Sequence, residues 1–206
     1  MKKSLFIAAS TAVMALSTPQ AFAQAKNFER FSVGLNYNSA QSTSTIKFRS
    51  TSLIGQEFSG TGTGQFASLQ AQYVFAVNEN IILGIGATAA LASYNLGTIF
   101  TTLNVDGTQK QQYSIDFTPG AALSDSLLLY GRASYISAKA GGSSTAGSIE
   151  QDATGMGYGV GVRGLATKNI YWQAEYSRNN YDNISNATWN SNYSSNVFSL
   201  GIGYKF

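Results

Sequence analysis

The sequence predicts an all-β chain, a single antiparallel up-and-down barrel of about eight strands that crosses a membrane. Three observations predict it. Apolar and polar residues alternate with period two over eight segments, the connections between those segments alternate short and long, and rings gather at both ends of the apolar phase. Period two marks strands with unlike faces. Rings at both ends are what two lipid–water interfaces select.

The first 23 residues stand apart from this pattern. Met1-Lys2-Lys3 is a short positive head, Leu5 to Leu16 is apolar or small, and Ala21-Phe22-Ala23 places small residues where a signal peptidase reads. Residues 1–23 are therefore expected to be a cleaved signal peptide, and 24–206 the barrel domain. The apolar run is too short for the roughly 20 residues of a spanning helix. Without Lys2 and Lys3 the 13 basic residues become 11, against 10 acidic ones. A nearly neutral chain with no basic stripe predicts no nucleic-acid partner. Charged residues are 11% of the chain, well below the roughly 25% of soluble domains. Cysteine and histidine are both absent, which removes thiolate chemistry, the commonest metal ligand and the commonest acid–base group. No enzyme, cofactor or metal site is expected.

The eight segments follow in order. Phe31, Val33, Leu35 and Tyr37 open the apolar phase, followed by Ala67 to Phe75, Ile81 to Leu91, and Tyr113, Ile115 and Phe117. Leu127 to Tyr135, Met156 to Val162, Ile170 to Tyr176 and Phe198 to Phe206 complete it. Each is expected to be near the 9–11 residues of a tilted membrane strand. Val77–Asn80, Gly120–Ser126 and Ala166–Asn169 are the short turns. Ser39–Gly64, Ser93–Lys110, Lys139–Ala153 and Asn179–Ser194 are the long loops, the first containing a hairpin of Thr45–Arg49 against Leu53–Phe58. Short turns at one rim and long loops at the other are the outer-membrane arrangement.

Alternation alone does not say which phase faces out, because a soluble barrel would alternate with its apolar phase inside. The polar phase is mainly Gly, Ser and Ala, a poor surface for water and a workable lumen lining. Tyr37, Tyr113, Tyr135, Tyr158, Tyr176 and Phe198 fall near the long-loop rim, and Phe31, Phe75, Phe117, Trp172, Tyr204 and Phe206 near the other. The apolar phase is therefore expected to face lipid. On that reading Ile85→Arg should impair assembly and Gly86→Ser should be milder.

Pro119 to Tyr135, with Met156 to Glu175, resembles the central hairpins of small porin-like and opacity-type barrels, the group of outer-membrane protein A and the OmpX type. The last strand is similar to the C-terminal strand of such barrels. The resemblance implies an exported protein of the Gram-negative outer membrane, in contact with its lipids. It also implies recognition by the barrel-assembly machinery through Phe198, Leu200, Ile202, Tyr204 and Phe206. The expected role is structural or surface interaction, through envelope integrity or adhesion to an extracellular ligand by the long loops. A narrow channel for small solutes is the alternative, and a soluble periplasmic binding barrel a weaker one.

The lumen phase carries Asp116, Arg132, Arg163, Glu175 and Lys205. Asp116, Arg132, Arg163 and Glu175 are expected to form an ion-pair network, since a guanidinium fork satisfies carboxylate oxygens while staying charged. Such a network is either a plug that fixes barrel shape or a polar gate. Eight strands enclose little more than their own side chains, which favours the plug. Gly155, Gly157, Gly159 and Gly161 either let large neighbours interdigitate or leave a thin water path. Gly84-x-Gly86-x-x-Ala89 with Asp106 imitates a dinucleotide fingerprint, but its strand phase continues where that motif needs a helix.

Overall fold

The structure is a computed structural model that describes residues 24–49, 54–100, 105–144, 147–185 and 189–206. The expected signal peptide lies outside the described residues. A short 3₁₀ turn, Ala25–Phe28, precedes ten strands: β1 Arg30–Phe48, β2 Glu57–Ala76, β3 Ile81–Ala90, β4 Tyr94–Phe100, β5 Val105–Ser124, β6 Leu127–Ser144, β7 Gly147–Leu165, β8 Ile170–Tyr181, β9 Ile184–Ser185 and β10 Trp189–Lys205. Eight of them close a ring in the order β1-β2-β3-β5-β6-β7-β8-β10, and β10 returns to β1. Every pairing is antiparallel, and the closing seam runs from Ser32↔Lys205 to Phe48↔Trp189. Closure leaves no unpaired edge in lipid, where unsatisfied backbone groups are costly. The two strands outside the ring are short annexes, β4 on the upper part of β5 and β9 on β10.

The facing is that of a membrane protein. Leu35, Ile85, Ile115 and Ile202 are 49–66% exposed, whereas Asn36, Gln72, Asp116 and Glu175 are 5% exposed or less. A soluble domain would reverse this. All twelve rings assigned to the two belts are exposed on the outer wall. Among the described residues no helix is long and apolar enough to cross a membrane; the strands cross instead.

Four expectations are corrected. Most strands of the ring are longer than 9–11 residues, several reaching 17–20, while β3 keeps 10. The long loops are largely strand continued past the upper belt: β1 and β2 stay in register to Lys47↔Glu57, and β6 and β7 to Ser144↔Gly147. The expected hairpin is thus the tip of this ladder, with Thr45↔Ser59 and Ile46↔Phe58 as pairs. Extended polar chain outside lipid satisfies its backbone by continuing the ladder it has already begun. The turn placed at Gly120–Ser126 is tighter, since β5 runs to Ser124 and β6 starts at Leu127. Finally, a Cβ on Gly86 would stand 2.6 Å from the Ala71 carbonyl oxygen, so Gly86→Ser is not a mild change. Gly84 to Ala89 lies within β3, in strand geometry.

Candidate functional site: a filled lumen

The inward side chains stack in layers. At the short-turn mouth Val74, Ile82, Ala122, Leu128 and Tyr130 form an apolar floor, joined from below by Ala25 and Phe28 of the N-terminal turn. Lys205 is buried beside it and donates through Nζ to the Asn27 carbonyl oxygen.

Above the floor lies Arg163. Its Nε and Nη2 donate to Gln173 Oε1 at 3.2 and 2.8 Å, and Nη2 also to Gln72 Oε1 at 2.8 Å. Its Cζ is 4.4 Å from the Tyr171 ring centre and 5.6 Å from that of Tyr130. Gln173 Nε2 donates to Asn36 Oδ1 and Gln70 Oε1, each at 2.8 Å, and Gln72 Nε2 to Thr118 Oγ1. One arginine and its amides thereby tie β7, β8, β2, β1 and β5 together.

The next layer is ionic. Arg132 Nη1 meets Glu175 Oε1 at 2.6 Å, and its Nε and Nη2 meet Asp116 Oδ1 at 3.1 and 2.9 Å. Nη2 also donates to Ser114 Oγ. The remaining carboxylate oxygens are filled by Thr88 Oγ1 on Asp116 at 2.7 Å and Tyr130 Oη on Glu175 at 3.1 Å. Higher up, Asn38 bonds Ser68 and Ser199 beside a cavity of about 30 Å³, room for a water or two. Above it, Phe66 and Tyr94 stack at 4.2 Å, and Tyr181 and Tyr193 lie 4.7 Å apart, joined by Gln109.

Of the four residues expected in one network, Asp116, Arg132 and Glu175 meet and Arg163 does not. The register explains this. Arg163 stands opposite Gln173, while Glu175 stands opposite Gly161. Having no side chain, Gly161 leaves room for Tyr130, whose Cζ lies 2.4 Å from where a Cβ would be. Side chains of β6 therefore reach across β7 to the carboxylate on β8. The β7 glycines interdigitate with large neighbours, and the space below Arg163 among Gln72, Val74, Ile82 and Leu128 holds no water-sized void. Gln72, Gln173, Asn36, Gln70, Tyr171 and Thr118 were not singled out from sequence. Their place on the polar phase was the available signal, but phase does not give the level at which side chains meet.

Phe198, Leu200, Ile202, Tyr204 and Phe206 form the outer wall of β10, 48–66% exposed. The Phe206 N–H donates to Phe31 O at 3.0 Å, and its ring lies 5.8 Å from that of Phe31. Among the described residues no group of His, Cys, Asp and Glu is arranged to hold a metal ion.

A family model described as outer membrane protein beta-barrel domain matches residues 8–206. Solved structures with a similar fold include the attachment invasion locus protein Ail of Yersinia pestis, at 22% identity and a TM-score of 0.52, covering 87% of this chain and 100% of Ail. Neisserial surface protein A is similar at 21% identity and 0.55, covering 85% and 97%. The outer membrane protein OprG of Pseudomonas aeruginosa is similar at 13% and 0.52, covering 90% and 98%. No curated protein sequence matches.

Proposed function

The chain belongs to the outer membrane protein beta-barrel family and lies in the Gram-negative outer membrane, and from that premise we propose that it is a closed, non-enzymatic barrel acting through its outer surface. Its role is envelope integrity or adhesion, with residues 1–23 as the export signal. The observation that carries the reading is the filled lumen. Two arginine layers and an apolar floor occupy the bore, and the cavity above the ionic layer is about 30 Å³. The strands meanwhile carry Ser-, Thr-, Asn- and Gly-rich chain well above the tyrosine belt.

The chemistry of that outer surface bears on its partner. Ail has been crystallised with the heparin analogue sucrose octasulfate, a polyanion. Here Lys47 already pairs with Glu57 at 2.8 Å, and Lys110 and Lys139 share Glu150 at 2.8 and 3.6 Å. A partner that hydrogen-bonds without high charge fits this surface better. The outer wall of β10, ending in Phe206, would serve as the signal read by the assembly machinery; deletion of Phe206 should slow insertion.

Planar-bilayer recording of the purified protein tests the reading. The expected result is a silent membrane. Steady, ion-selective conductance altered by Glu175→Gln would overturn it and establish the narrow channel.

A further inference from the structure

We propose that the turn Ala25–Phe28 is a hinged stopper that closes the periplasmic mouth as an element separable from the barrel wall. In a 3₁₀ turn residues three apart share a face, and Ala25 and Phe28 are its two buried residues, at 0% and 3% exposure, while Lys26 and Asn27 face solvent. Its polar contacts go to separate parts of the rim. The Ala25 N–H donates to Glu79 O at 2.9 Å in the β2–β3 turn, and Asn27 Nδ2 to Asp125 O at 3.1 Å in the β5–β6 turn. The Asn27 carbonyl oxygen accepts from Lys205 at the end of β10. Just past the turn, Glu29 Oε1 accepts from the Ala76 N–H at 2.8 Å. The segment thus spans the opening rather than lying along one strand.

None of these contacts belongs to the ring ladder, which starts on β1 at Arg30↔Val74 and Ser32↔Lys205. The turn can therefore leave without unpairing a strand. Arg30 has φ +106°, a backbone state rarely adopted by residues with a Cβ and a recognised store of strain. That residue is where the chain folds back from the wall across the mouth, so the seated turn carries strain at its hinge that its rim contacts and the buried Phe28 must offset. Terminal segments lacking such ties are ordinarily loose; this one is tied on several sides around an apolar plug. Access from the periplasm to the lumen floor is then governed by whether Phe28 is seated.

The chain has no cysteine, so single introduced thiols report cleanly. Val74→Cys places one in the floor, on the periplasmic side of Arg163, where the result does not depend on whether the lumen above conducts. Ser177→Cys places a control above the ionic layer. A membrane-impermeant maleimide should label Val74→Cys slowly, and about tenfold or more faster once Phe28→Asp unseats the turn, as expected for a locally opened site. Ser177→Cys should stay equally protected in both backgrounds. Phe28→Ala serves in place of Phe28→Asp if the charged variant fails to assemble, assembly being read from the heat-dependent shift in gel mobility. Equal labelling of Val74→Cys with and without the Phe28 substitution in assembled barrels would overturn the stopper. Faster labelling of both thiols would also overturn it, because the whole wall would then have loosened.

Discussion

Arg132 and Arg163 enter the same lumen from adjacent strands, yet they are held by different chemistry. Arg132 is clamped by two carboxylates, with every oxygen of both also engaged or shared. Arg163 touches only amide oxygens and two aromatic faces. The ionic layer alone carries one excess negative charge, and Arg163 carries one positive charge. Tyr130 links them, its hydroxyl on Glu175 and its ring beneath Arg163. The difference teaches that a guanidinium's counter-charge can sit one layer away, while its hydrogen-bond valence must be met in its own layer. Neutral dipoles suffice to orient a guanidinium when its counter-charge sits one layer away.

The largest effect should come from breaking the ionic layer. Removing one member of a buried pair typically costs about 3–5 kcal/mol. Because Asp116 stays on Arg132, Glu175→Ala is expected near the lower end, about 3 kcal/mol in denaturant unfolding, against about 1 kcal/mol for the buried but uncharged Ser177→Ala. Similar midpoints for the two variants would remove the ionic layer from the account.

A guanidinium placed on the outer wall, with lipid instead of dipoles around it, sharpens the same comparison. Ile85→Arg, at mid-strand and 58% exposed, should cost about 2–4 kcal/mol and lower outer-membrane yield.

Next comes the amide layer. Gln173→Ala removes the single amide oxygen on which Arg163 Nε and Nη2 converge while Gln72 still holds Nη2; taken as one charge-assisted acceptor worth about 1.5–3 kcal/mol, its loss is expected to cost about 2 kcal/mol. The double change Arg163→Gln with Glu175→Gln removes one charge of each sign and leaves the lumen's net charge unchanged. If the layers share charge, it should be less destabilising than the sum of its single changes by about 0.5–3 kcal/mol. Strict additivity would show two independent layers and break the comparison.

The smallest effect lies outside the membrane, at Glu150. Hydrogen-bonded and paired by Lys110, its carboxyl is held below the ordinary value of 4.5. A depressed folded value means the contribution is present above that ordinary value and lost as pH falls through the folded one. The pair is solvent-exposed and screened, so global stability should barely move. Relative to the intrinsic exchange rate at each pH, the amides of residues 139–144 and 147–152 should lose protection on acidification, and Glu150→Gln should remove that dependence.

Much of this protein is legible in its sequence. Leu35 beside Asn36, or Ile115 beside Asp116, already separates two faces, and the ring belts at both strand ends assign the apolar one to lipid. Strand number, ring order and both aromatic belts follow from that local rule. What lies past the belts does not, since Ser-, Thr- and Gly-rich chain reads as loop whether or not it continues a ladder. Nor was the Ala25–Phe28 turn legible: four residues are too few to show a period, and Phe28 has a place to go only once the mouth exists. The levels of the lumen were decided by tertiary structure alone. Strand tilt and stagger set which inward residues face each other, and a shift of two positions separates Gln173, which Arg163 meets, from Glu175, which Arg132 reaches across β7. Period two fixes a side chain's face but is blind to even-numbered shifts along the strand, and the contacts that balance charge in this lumen depend on those shifts.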